Sequence, residues 1–444
     1  MRTRALLLSA LASLPLLLVA PTAAQANGRF PAANQIVVSK TTPSSMVLRT
    51  TFGILFSSDS GVTWDWICEK AVGYGGTEDP SMGLTASGTV LAGTFEGLAT
   101  SLDKGCSWAF APDKLTQNVV VDLVVRPDNP ATSLVMTNKF SKADDAGDAL
   151  FQSDIFVATD DGKTWAPLGP SLDPTVLFET LEVAASDPTR VYVSGVRGNG
   201  ASEQGVVLVS KDTGQTWKEY PVPLDVSTER APFISAVDPK NPERVYVRTK
   251  GSVGSRLLVS DDGAQTWREV LKFTSDMLGF AISDDGTKVW AGGPKDVLHQ
   301  ATAAALTFTQ TSPIAIQCLA ASGANLYACS NEVGGFIVGA SKDDGASFAP
   351  LLHLYGVRGP LACGPQTSQA KCVPDWPALR DTLGTAPSDG GADGSADGGS
   401  SGSSSGSAGK GCSCDATPGT GDGALALGAL GVAAALFAAK RRKR

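Results

Sequence analysis

The sequence predicts an all-β fold, a single seven-bladed β-propeller with four antiparallel strands per blade, on three observations. An eight-residue phrase, S-x-D-x-G-x-T-W, recurs along the chain, ending on Trp in five of its copies. Short apolar runs flank the copies on both sides, as strands flank a tight turn. The copies also fall at a period of tens of residues, which marks a repeat architecture. No stretch between them carries a sustained apolar period of 3.6, so alternating helices and parallel strands are excluded.

The phrase reads SSDSGVTW at 57–64, SLDKGCSW at 101–108, ATDDGKTW at 158–165, SKDTGQTW at 210–217, SDDGAQTW at 260–267 and SKDDGASF at 341–348. Its third position holds Asp59, Asp103, Asp160, Asp212, Asp262 and Asp343. Its last holds Trp64, Trp108, Trp165, Trp217, Trp267 and Phe348. A carboxylate at the turn entrance accepts hydrogen bonds from backbone N–H groups two or three residues on. Glycine at the fifth position adopts a positive φ without steric cost. The indole tucks beneath the turn and buries a large apolar surface. Six aspartates in one phrase are a building device, because a catalytic or calcium site occurs once and a scaffold turn occurs once per unit.

Spacing sets the number of blades. The aspartates lie 44, 57, 52, 50 and 81 residues apart, and the last interval is too long for one unit. Within it, ATAAALTF at 301–308 aligns as an eroded copy that divides 81 into 41 and 40. The preceding half of each unit reads as two strands around a polar turn, for example LEVAASDPTRVYVSG and ISAVDPKNPERVYVRT. Four radially repeated strands per unit is a propeller signature.

The phrase resembles the Asp-box, or BNR repeat, of sialidases, sortilin-type receptors, certain xyloglucan-degrading hydrolases and a photosystem assembly factor. That resemblance covers roughly residues 30–360 and implies that each box lies at the turn between a blade's third and fourth strands, away from the central pocket. Two copies depart from the pattern. The fifth has Ala264 where glycine is expected and Gly263 one place early, so its turn is expected to differ in detail; the sixth ends in Phe348.

Outside the propeller (27–360) and a cysteine-containing closing segment (361–384), the chain reads as addresses. Residues 1–26 combine Arg2 and Arg4, an apolar run and a small-residue end, a secretory signal peptide cut after Ala26. Residues 385–411 are a Gly/Ser/Asp tract that buries nothing and forms a solvated linker. Segment 412–444 holds Cys412-Ser413-Cys414, an apolar stretch from Gly423 to Ala439 long enough for one short transmembrane helix, and a basic end. This tripartite pattern resembles the MYXO-CTERM sorting signal of myxobacterial surface proteins, which implies export, C-terminal processing machinery, and Cys412 as the processed or lipidated residue.

Charge narrows the partners. Five of the 36 basic residues lie in the tail and two in the leader, which leaves 29 against 44 acidic residues, a balance of −15. That sign repels phosphate backbones, so nucleic acid is not an expected partner. Cysteine usage fits an oxidising compartment. Cys318 and Cys329 flank a hairpin turn as cross-strand partners; Cys68 with Cys106, and Cys363 with Cys372, are the other pairs that spacing suggests, among fifteen connectivities. No metal or cofactor is expected, since no CxxC pair exists and His299 and His353 are the only histidines.

Two functional classes remain. The first is a non-catalytic surface module that binds a glycan, peptide or protein through its funnel and loops, with 136–155 and 195–205 as contact segments. The second is a glycoside hydrolase. Exo-sialidases grip a carboxylate with three arginines over a Tyr–Glu nucleophile, and the resemblance implies Arg29 (in Arg29-Phe30-Pro31), Arg126, Arg197, Arg248 and Arg358 for the first role. Tyr355 with Glu332 or Glu182 would take the second. The commoner reading of each arginine is a solvated strand end. A xyloglucanase-type site needs two facing carboxylates and, in that family, two propellers.

Overall fold

The computed structural model describes residues 29–386 except 113–114, 146 and 199–201. The signal peptide, linker, Cys412 and apolar tail lie outside the described residues. Seven antiparallel four-stranded sheets follow one another in chain order. Blade 1 comprises β1 Ala33–Val38, β2 Met46–Thr50, β3 Gly53–Ser57 and β4 Trp64–Ile67. Blade 2 comprises β5 Ser81–Leu84, β6 Val90–Thr94, β7 Gly97–Ser101 and β8 Ala109–Phe110. Blade 3 comprises β9 Val119–Val125, β10 Ser133–Ala143, β11 Ala149–Ala158 and β12 Ala166–Pro167. Blade 4 comprises β13 Val176–Val183, β14 Val191–Arg197, β15 Gln204–Ser210 and β16 Lys218–Val222. Blade 5 comprises β17 Glu229–Val237, β18 Val245–Gly251, β19 Arg256–Ser260 and β20 Arg268–Lys272. Blade 6 comprises β21 Gly279–Ile282, β22 Lys288–Gly293, β23 Val297–Thr302 and β24 Thr309–Ser312. Blade 7 comprises β25 Cys318–Ser322, β26 Asn325–Cys329, β27 Val338–Ser341 and β28 Ala349–Leu352.

The first strand of each blade packs against the first strand of the next, and β25 packs against β1, so these seven form the inner ring. Each sheet lies between two others, which explains why middle strands such as β3 (GILFS) and β6 (VLAGT) are buried at every position. Side chains alternate between the two neighbours with the period of a strand. In β14, Val191 and Val193 join the core shared with blade 3, while Tyr192 joins the core shared with blade 5. The outermost strands change character: β16 (KEYPV) and β20 (REVLK) expose Lys218, Glu219, Arg268 and Glu269, charges that guard a free edge against pairing.

The boxes form the turns between third and fourth strands. In the first, Asp59 Oδ1 accepts from Thr63 N at 2.9 Å, its Oδ2 accepts the Thr63 hydroxyl at 2.5 Å, and Ser57 Oγ accepts from Gly61 N at 3.0 Å. Trp64 Nε1 donates to Gly61 O at 2.9 Å and closes the corner from below. Asp212 and Asp343 accept the same bonds, chiefly from the Thr216 and Ser347 hydroxyls, which hold both carboxyls down to about 2.

The fifth box keeps its turn, contrary to the expectation from Ala264. The turn needs two successive residues at positive φ. Elsewhere these are a non-glycine and then the glycine, such as Ser60 (64°) and Gly61 (84°). In the fifth copy Gly263 takes the first place at 72° and Ala264 the second at 71°, and Ala264 N still donates to Ser260 Oγ at 2.8 Å. The indole moves instead: Trp267 Nε1 donates to Pro221 O at 3.1 Å. The eroded copy occupies the β23–β24 turn of blade 6, as the spacing predicts, with its positive φ displaced to Leu306.

Beyond blade 7 the chain returns along the outside of blade 1. Strand β29, Val357–Pro360, pairs in parallel with β4 as a fifth strand, followed by a 3-10 stretch Ser368–Asp375 and helix α1, Trp376–Leu383. Here two expected cysteine pairings are corrected. The bonds are Cys68–Cys372 and Cys106–Cys363, in place of Cys68–Cys106 and Cys363–Cys372; Cys318–Cys329 forms as expected. The physical reason is the strap itself. Gln369 Nε2 donates to Trp66 O at 2.5 Å, Gln369 N to Cys106 O at 3.1 Å, and Trp376 lies 5.8 Å from Trp66, so the strap brings its cysteines to blades 1 and 2. Among the described residues no helix is long and apolar enough to cross a membrane.

Candidate functional site

Antiparallel order places two kinds of loop at the end of the ring where inner strands begin: the second-to-third-strand loops and the blade-to-blade connections. The box turns and the first-to-second-strand turns occupy the opposite end. Large exposed apolar side chains are unevenly divided between these ends. Phe30, Phe95, Val226, Val253, Val333 and Tyr355 all lie on the loop end; on the turn end the exposed ones are Val62 and Leu102, in the first two boxes, and Val373 is exposed on the strap.

The loop end is a well-tied surface. Arg29 forms a two-pronged pair with Asp79 at 2.8 and 2.9 Å, and Arg49 donates to Asn34 Oδ1 at 2.7 Å and to Asp79 O and Pro80 O at 3.1 Å. Together they pin the long blade 1–2 connection. The insert 136–155 becomes the β10–β11 hairpin, which continues its register out to Ala143 and Ala149, with Phe140 edge-on to Phe151 at 6.5 Å. In the second insert Arg197 is held by Asp173 at 2.9 Å and by Glu219 at 2.5 Å.

Inside the ring, inner strands would leave N–H groups unpaired, and neighbouring side chains supply acceptors. Gln35 Oε1 accepts from Met82 N at 3.0 Å, Asp122 Oδ2 from Leu181 N at 2.9 Å, and Thr180 Oγ1 from Ile234 N at 2.9 Å. Asp122 also accepts from Leu123 N at 2.9 Å. Burial still raises its carboxyl to about 6, against those bonds and the Arg248 and Arg49 charges. Glu182, three residues from the bulge in β13, is raised to about 8 by burial with Asp122 adding to it.

Glu179 is the bulged residue itself, 6% exposed, with Oε1 lacking a hydrogen-bond partner among the described residues. Burial raises it to about 8, opposed by the Lys250 charge. An acid raised in the folded state contributes stability below its unfolded pKa, and that contribution is lost as pH rises through the folded value. The melting temperature is therefore expected to fall between about pH 4.5 and pH 8, and Glu179→Gln to flatten the decline. Thermal melts of both proteins across that window check this; parallel slopes would contradict it.

The structure does not bring the arginine set together. Arg126 pairs with Asp128 at 2.6 Å on the turn end of blade 3; Arg358 pairs with Asp65 at 2.5 Å on the outer edge of blade 1. Arg248 donates to Met277 O at 2.6 Å and lies over the Phe233 ring at 5.3 Å. Tyr355 and Glu332 do approach one another, through His353: Glu332 Oε1 is 2.6 Å from His353 Nδ1, and the His353 and Tyr355 rings stack at 4.9 Å. His299 packs against Phe273. Sequence reasoning passed over Asp122 and Glu179. A carboxylate inside an apolar inner-strand run (VVVDLVV, VLFETLEV) was the available signal.

A concavity of about 400 Å³ lies on the turn end between blades 6 and 7. Its charges are largely paired, Lys40 with Asp284 at 2.8 Å and Lys288 with Asp344 at 2.6 Å. Among the described residues no cluster of three or more His, Cys, Asp or Glu is arranged to hold a metal ion.

Comparison with known proteins finds partial similarities. A xyloglucanase specific for the reducing end of oligoxyloglucan, from Emericella nidulans, is 31% identical over 121 residues, which is 26% of this chain and 14% of that protein. An ancestral GH74 enzyme of known structure superposes with a TM-score of 0.46 at 16% identity, covering 62% of this chain and 36% of that one. The GH74 xyloglucanase of Xanthomonas campestris gives 0.35 at 13% identity, with 74% and 66% covered. The chain thus spans a minor part of the first two relatives. Residues 96–285 match the family model described as Sortilin-Vps10 (sortilin, neurotensin receptor 3), so from blade 2 into blade 6 this chain is similar to a sortilin-type propeller.

Proposed function

We propose that this protein is an exported binding module, held at the cell surface through its C-terminal tail, whose loop end takes up a glycan, peptide or protein. One observation carries the reading: six large apolar side chains are exposed on the loop end of the ring. Aromatic and aliphatic tips on a rigid scaffold give contact area at low entropic cost. Three disulfides fit an oxidising location outside the cytoplasm. Signal peptide, linker and MYXO-CTERM-like tail supply the remaining support for export and anchoring.

Glycan hydrolysis is the second reading, favoured by the 31% identity with a xyloglucanase. Asp122 and Glu182 on neighbouring inner strands are the carboxylates it would use, but Asp122 already holds Leu181 N. A sialidase reading has less support, since the five arginines stand apart. The full purified chain is expected to capture ligands on a combined glycan and peptide array, and to release no product from xyloglucan or a fluorogenic sialoside. Turnover that Glu182→Gln abolishes would replace the binding reading with the hydrolytic one.

A further inference from the structure

Blade 7 carries an ordered aromatic platform at its loop end. After β28, His353 and Tyr355 flank the buried Leu354 in a short 3-10 turn, and their rings stack almost parallel, with planes 6° apart and centroids at 4.9 Å. Glu332, from the loop between β26 and β27, fixes that turn. Its Oε1 lies 2.6 Å from His353 Nδ1, and its Oε2 accepts from Leu354 N at 3.1 Å. Asn331 Oδ1 caps the loop by accepting from Gly334 N at 2.8 Å. The loop so braced holds Val333 96% exposed, and Tyr355 keeps 37% exposure with no partner for its hydroxyl among the described residues.

A turn capped by a carboxylate needs neither an exposed tyrosine nor an exposed valine. What the assembly adds is a partly exposed flat ring with one face backed by imidazole, and a carboxylate of fixed direction on the far side of that imidazole's hydrogen bond. That geometry suits a ligand that is apolar on its face and hydroxylated around its rim. A β-linked, gluco-configured pyranose has this form, since its C–H bonds are axial and its hydroxyls equatorial.

We propose that Tyr355, backed by His353, with Glu332 bonded to that imidazole and the exposed Val333 next to it in the chain, is a stacking subsite for one pyranose ring of a neutral β-gluco-configured oligosaccharide. The Glu332 carboxylate accepts sugar hydroxyls, and together with the chain's acidic balance it disfavours anionic sugars. The Tyr355 hydroxyl serves the rim as donor or acceptor. This subsite rests on the binding reading above and gives it a ligand class.

Titration calorimetry of the full chain with cellotetraose tests it. Saturable binding is expected, weakened about tenfold by Tyr355→Ala and little changed by Tyr355→Phe, which keeps the ring. Glu332→Gln is expected to weaken it by a smaller factor. If circular dichroism shows Tyr355→Ala unfolded, Val333→Asp takes its place, because that fully exposed side chain can change without loss of packing; a weakening of about threefold is expected. Equal affinity in the wild type and in the folded platform variants overturns the subsite and leaves the binding reading standing. Failure of cellotetraose to bind at millimolar concentration, or tighter binding of sialyllactose, also overturns it. Silence across the whole glycan and peptide array is the separate result that sinks the binding reading itself.

Discussion

Removing Cys68–Cys372 by the double substitution to serine is expected to lower the melting temperature by several degrees, more than removing Cys318–Cys329. Propellers with no strand exchanged between first and last blades rely on packing to stay closed. Here the four antiparallel strands of blade 1 come from residues 33–67 and those of blade 7 from 318–352, and the C-terminal β29 joins blade 1 only as a parallel fifth strand on its outer edge. Between them run the β25–β1 contact and the strap of β29 and α1. The strap's bond closes a sequence separation of 304 residues, whereas Cys318–Cys329 closes one of 11. With Cys106–Cys363 intact, however, the first bond adds a loop of only about 50 residues, Cys68 to Cys106 and Cys363 to Cys372, so loop-closure entropy assigns roughly 4 kcal/mol to it and roughly 3 to the second. For a domain of this size each kcal/mol moves the midpoint by about 1–2 °C. Differential scanning calorimetry of the two double variants ranks them; equal shifts would show that the strap does not clasp the ring.

Trp64→Ala is expected to cost about 3–5 kcal/mol, the range for deleting a large buried aromatic. Trp64 is 1% exposed, and its indole closes the first box while packing into the core that joins blades 7, 1 and 2. Trp267→Ala should cost clearly less, because that indole is only partly buried and has left its own box for Pro221 O. Urea midpoints of the two variants give the comparison. A Trp267 variant as weak as the Trp64 variant would contradict the packing difference between the boxes.

The blade count was legible because the box is a local device: Ser57, Asp59, Gly61, Thr63 and Trp64 complete its hydrogen bonds within eight residues. The eroded copy was legible from spacing and from its position between two strand patterns. Ala264 misled because the rule was taken as glycine at one place, while the backbone asks for two positive-φ residues and is indifferent to which is glycine. Cysteine pairing was legible only for Cys318–Cys329, where a hairpin register sets the partner. Cys372 finds Cys68 through the docking of the strap, and no local pattern encodes that. The arginines failed as a set for the same reason. Their partners lie up to 293 positions away, as Asp65 does from Arg358.

The site was less legible than the fold. A binding surface here is a sum of loop tips from several blades, and no single tip is distinctive in sequence. Phe95 and Val253 are ordinary loop residues until the ring places them on one end. The buried carboxylates were visible as charges inside apolar runs, but only the inner ring shows that Asp122 reaches the next blade's backbone.

Hydrogen–deuterium exchange of the full chain, with and without a ligand captured from the array, tests the central claim most directly. Protection is predicted in the loop-end segments 223–228, 252–255, 330–337 and 353–356, with the box turns unchanged. Protection confined to the box turns, or to the cleft between Asp284 and Lys342, would contradict it.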